Sequence, residues 1–112
     1  MSKNIIISGP PASGKSHIAQ AIMNTHRKAC KVYSPDFFST IRTHPDLIID
    51  KNQCVPKYDL ITIDECRISE IGILCEMLNE NTSKVFITQG RIDENEIDTD
   101  KFFVINLYRN IE

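Results

Sequence analysis

The sequence predicts a single α/β domain spanning residues 1–112, built on a mostly parallel five-stranded sheet with helices on both faces. Three observations predict it. Short apolar runs rich in β-branched residues alternate with stretches of helical spacing. No repeat, low-complexity tract or flexible linker interrupts that alternation. The 112 residues, 41% hydrophobic and 25% charged, match one globular core with little room for a second module.

The first strand is expected over 4–8, where Ile5, Ile6 and Ile7 form a short buried run. Residues 15–23 open a helix with Ile18, Ala21 and Ile22 on one face. A second short strand covers 31–33 and closes at Ser34 and Pro35. A short helix or turn follows over 36–43, capped by Ser34 or Asp36 and ended by His44 and Pro45, since the residue before a proline avoids the helical region. Within 46–57, the run Leu47, Ile48 and Ile49 suits either a helical turn or an extra edge strand. Residues 58–63 read as a third, buried strand. The helix expected over 69–79 carries Ile71, Leu74, Cys75 and Leu78 at helical spacing. A turn at 79–83, a fourth strand at 84–88, a polar stretch at 89–100 and a fifth strand at 102–107 complete the chain.

Composition narrows the function. No apolar stretch approaches the ~20 residues of a membrane-spanning helix. The apolar run 5–7 is too short for a signal peptide, so a cytoplasmic protein with no membrane partner is expected. A net charge of −2 and a pI near 5.9 do not support a sequence-independent grip on nucleic acid. The densest basic group, His26, Arg27, Lys28 and Lys31, reads as the solvated end of the first helix. Cys30, Cys54, Cys66 and Cys75 lack metal-ligand spacing and read as free thiols.

The chemistry concentrates elsewhere. Gly9-Pro10-Pro11-Ala12-Ser13-Gly14-Lys15-Ser16 matches G-x-x-x-x-G-K-[ST] between a strand and a helix. Such a loop needs inward-facing amides, glycines where side chains would block the anion, and a helix N-terminus facing it. Pro10 and Pro11 offer no N–H, so the donors come from Ser13 onward. Further on, Leu60-Ile61-Thr62-Ile63 ends in the adjacent carboxylates Asp64 and Glu65. Strand alternation would send those two in different directions, one toward a metal and one toward an attacking water.

At these motifs the chain resembles the P-loop NTPase superfamily, with Walker A at 9–16 and Walker B at 60–65. The resemblance implies a three-layer P-loop fold, with ATP and Mg2+ bound. Gly9, Ala12, Ser13, Gly14, Lys15, Ser16 and His17 would lie along the phosphates, with Lys15 on the β and γ groups. Ser16 and Asp64 would attend the metal, and Glu65 would orient the attacking water. The polar end of the fourth strand is similar to that of the additional-strand division, which includes AAA+ and RecA-like ATPases. That similarity makes Thr88 or Gln89 the γ-phosphate sensor and implies the strand order 5-1-4-3-2. No counterpart of the helical lid of AAA+ proteins is expected within 1–112, and an arginine would come from a second copy or a protein partner, with Arg67 and Arg91 as the residues able to serve a neighbour.

Two rival readings stand beside an ATPase. Val32-Tyr33-Ser34-Pro35-Asp36-Phe37 resembles the strand end of P-loop small-molecule and nucleotide kinases, with Asp36 as the base facing the acceptor. Alternatively the domain binds nucleotide without hydrolysis, as an interaction module.

Overall fold

The computed structural model describes residues 4–43, 54–93, 95 and 97–108, with backbone alone for 40–43. Five strands, β1 (Asn4–Ser8), β2 (Ala29–Tyr33), β3 (Leu60–Asp64), β4 (Ser83–Thr88) and β5 (Phe102–Asn106), form one sheet. Its order is β2-β3-β4-β1-β5, the order expected from the sequence, and every pairing is parallel. The helices are α1 (Lys15–Met23), α2 (Ser34–Thr43) and α3 (Ile71–Met77), the last preceded by a 3₁₀ turn over Ile68–Glu70.

Parallel strands require crossovers that cover the faces, and the residues divide accordingly. Ile6, Ile61, Ile63 and Phe86 point to one side, where they pack with Phe37 of α2 and with Ile71, Leu74 and Leu78 of and after α3. Ile7, Leu60, Val85 and Ile87 point to the other side and meet α1 through Ala19, with Ile18, Ile22 and Met23 at its edges. Ala21 is exposed, so the apolar stripe of α1 runs through Ala19 rather than the expected Ala21. Adjacent pairs at four-residue spacing, 18–19 and 22–23, still define one face.

Several boundaries differ from expectation for local reasons. β2 starts at Ala29, two residues early, because Ala29 and Cys30 pair with Leu60 and Ile61. β3 starts at Leu60, because Asp59 and Tyr58 are spent on the neighbouring turns. The Asp59 carboxylate accepts from the amides of Arg27 and Lys28, and the Tyr58 carbonyl accepts from the Thr82 hydroxyl. The helix expected over 69–79 is shorter. Leu78 is extended, and the Asn79 side chain accepts from the Asn81 amide in an Asx turn. Ser34 begins α2, fully buried, and its hydroxyl donates to Glu70 at 3.2 Å instead of capping its own helix. The readings made for His44, Pro45 and 47–49 lie outside the described residues. No helix among the described residues is long and apolar enough to cross a membrane.

Candidate phosphate-binding cleft

The site is assembled at the carboxyl ends of β1, β3 and β4, which the sheet order makes neighbours. Pro11, Ala12, Ser13, Gly14, Lys15, Ser16 and His17 line one wall of a cleft of about 500 Å³. Asp64, Glu65 and Gln89 line the other.

The loop wall is shaped by backbone that side chains normally avoid. Gly14, the residue before α1, is left-handed at φ 93, and Ala12 is left-handed at φ 59. A non-glycine residue in that region stores of order 1 kcal/mol or more. Gly9 is buried behind the loop, where its amide donates to the Thr88 carbonyl at 3.2 Å. A Cβ on Gly9 would come within 2.6 Å of Ser13 Oγ and 2.9 Å of Leu107 Cβ. Gly9 thus supports the loop from beneath and does not line the cleft. The Lys15 ammonium donates to the carbonyls of Gly9 and Pro10 at 2.7 and 2.8 Å, folded across its own loop. Ser13 Oγ is buried and has no hydrogen-bond partner among the described residues. Buried hydroxyls seldom go unpaired, so an orphan here marks an acceptor or donor supplied from elsewhere.

On the opposite wall, Asp64 ends β3 on the same face as Leu60 and Thr62. One carboxylate oxygen accepts from the Glu65 amide at 2.8 Å and the other lies 3.5 Å from the Lys31 ammonium. Glu65 leaves the strand in the left-handed region at φ 53 and is exposed. The bend, not strand alternation, therefore sets where its carboxylate goes, and both acids line one cleft. Gln89 is exposed on the cleft, whereas Thr88 is buried and its hydroxyl accepts from the Gly90 amide at 3.1 Å. Of the two sensor candidates, only Gln89 faces the open space.

Signals the sequence did not carry come from distant segments. The Tyr108 hydroxyl donates to the Gln89 carbonyl, and the Arg91 guanidinium stacks 4.4 Å from the Tyr108 ring centroid. Ser8 Oγ donates to the Gly90 carbonyl at 2.6 Å. Residues 89–91 are thereby tied to the end of β1 through Ser8 and to Tyr108, which follows β5. Arg67 is exposed, while Asp36 is exposed in the first turn of α2 and is not among the cleft residues.

None of the four thiols is among the cleft residues. Burial pushes the Cys66 thiol up to about 12, with Glu70 and Cys75 adding to the rise. Burial likewise raises Cys30 and Cys75, partly offset by a hydrogen bond with Tyr58 and by nearby lysines respectively. A thiol held protonated is neither a nucleophile nor a metal ligand.

The residues present suit a Mg2+-bound polyphosphate. Ser16 and Asp64 on the cleft are hard oxygen donors, and the loop presents a helix N-terminus. No cluster of three His, Cys, Asp or Glu side chains able to hold a metal occurs among the described residues. Mg2+ needs none, because it shares one or two protein oxygens with phosphate and water. Compared with protein-family models and with curated proteins, the chain matches none.

Proposed function

We propose that the protein is a P-loop ATPase of the additional-strand type, binding ATP with Mg2+ in this cleft and hydrolysing it. The observation that carries the reading is the convergence of residues 11–17 with Asp64, Glu65 and Gln89 at one end of a parallel sheet. The position of β4 between β1 and β3 supports the additional-strand assignment.

In this reading the amides of Ser13, Gly14, Lys15 and Ser16 receive phosphate oxygens at the start of α1. The Lys15 ammonium exchanges its two loop carbonyls for phosphate oxygens. Ser16 and Asp64 hold the metal, which when bound neutralises charge on the phosphates. Glu65, exposed and bent toward the cleft, orients a water and takes its proton. Gln89 reports on the terminal phosphate from a loop anchored by Tyr108. Adenine is favoured over guanine because no Asn-Lys-x-Asp motif occurs in the chain. A cytoplasmic location belongs to the same reading, with a second copy or partner offering an arginine. Arg67 and Arg91 are both exposed, and Arg67 is the candidate for that role, since Arg91 is stacked on Tyr108.

Steady-state phosphate release tests the proposal. Glu65→Gln is expected to slow ATP turnover about 10²- to 10⁴-fold while ATP binding is retained. Nucleotide binding with no turnover in either protein would leave a binding module. ADP formation that requires an added acceptor would instead favour the kinase reading and Asp36.

A further inference from the structure

We infer that Lys31 is a resident counter-cation for Asp64 and sets how much Mg2+ the site requires. The inference rests on the proposed role of Asp64 beside the metal.

Lys31 lies on β2, the edge strand beside β3, in the register that pairs Lys31 with Thr62 and Tyr33 with Asp64. Alternation along parallel strands puts 31 and 33 on the same face as 62 and 64. The ammonium reaches across to within 3.5 Å of Asp64 Oδ2, while Oδ1 accepts from the Glu65 amide at 2.8 Å. Both oxygens of the carboxylate therefore have partners within the chain, and its charge is already matched by a cation. The two side chains are only 32% and 17% exposed, so solvent screens the pair incompletely.

A divalent ion using Oδ2, directly or through its water shell, meets that ammonium as a like charge. Lys31 must then move, and its four-carbon stem allows it. The Tyr33 ring, whose centroid lies 5.5 Å from the ammonium, offers a resting place that keeps a favourable cation–π contact. Lys31 thus competes with the metal for Asp64. In its absence, the carboxylate is open to Mg2+ at lower concentration.

The test is a Mg2+ titration of ATP binding by the full chain, read calorimetrically rather than by turnover. Lys31→Met, which keeps the apolar stem, is expected to lower the half-saturating Mg2+ about 3- to 10-fold, from removal of one charge near a divalent ion. Lys31→Arg, which keeps the charge, should shift it less. Circular dichroism of both variants checks that they fold. An unchanged or raised Mg2+ requirement in Lys31→Met would overturn the inference while leaving the role of Asp64 standing. Asp64→Asn separates the two claims: it is expected to raise the Mg2+ requirement. If it has no effect, the placement of Asp64 at the metal fails, and the inference about Lys31 fails with it.

Discussion

The two faces of the sheet are built to different specifications. Among the described residues, ten buried side chains from Ile6 to Ile92 form one cluster on the side of α2 and α3. On the side of α1, the cluster holds five of the described residues, and α1, which covers it, is nine residues long. The thinner face also carries Thr62, whose buried hydroxyl has no partner, and Asp64 at the strand end. It is the face on which β1 runs into the loop and α1 presents its N-terminus. The difference teaches that stability resides mainly in the α2–α3 side, so the α1 side can tolerate left-handed residues, an orphan hydroxyl and clustered charge.

Truncation on the thick face gives the largest expected effect. Leu74 is fully buried in that cluster, and Leu74→Ala should cost about 2–5 kcal/mol in chemical denaturation. ATP affinity per folded molecule should not change. Equal loss of affinity would mean that the two faces are not separable.

A smaller effect with the opposite distribution is expected at Gly9. An added methyl meets Ser13 Oγ and Leu107 Cβ inside ordinary contact distance, so Gly9→Ala should cost about 1–3 kcal/mol. It should also weaken ATP binding more than Leu74→Ala does. Gly72 of α3, with nothing within 4 Å of an added Cβ, is the matched control and should leave affinity unchanged.

A third effect, confined to alkaline pH, concerns Cys66, which belongs to the thick-face cluster. Its folded thiol titrates at about 12 against an ordinary value of 9.0. Its contribution to stability is fully present below pH ~9 and is lost as pH rises from ~9 toward ~12, because only the unfolded chain ionises in that window. In labelling at pH 8, exposed Cys54 should react at once and Cys66 only as fast as the chain opens. Rapid labelling of Cys66 would show the thick face to be looser than its burial implies.

How much of this was legible in the sequence follows from the range of each interaction. The strands and the two cleft walls were readable because β-branched runs and the loop motif are local signals, whereas the strand order came from the resemblance of those motifs to the additional-strand division. The Asp59 caps and the Ser34–Glu70 bond were not, because each ties a strand or helix end to a partner distant in sequence. The left-handed bend at Glu65 carried no signal, since nothing in a glutamate announces φ 53. Lys31 on Asp64 and Tyr108 on Gln89 join segments that only the folded sheet brings together. Placement of Gln89 rather than Thr88 on the cleft likewise required knowing which strand residue is the last to be buried.

The central claim is that the loop at 13–16 and the acids at 64 and 65 serve one ligand. Backbone amide shifts recorded while ATP and Mg2+ are added test it most directly. The account expects Gly14, Lys15, Ser16, Glu65 and Gln89 to shift together along one binding curve, with Leu74 and Leu78 unmoved. Shifts confined to one wall of the cleft, or none at either wall at millimolar ATP, would contradict it.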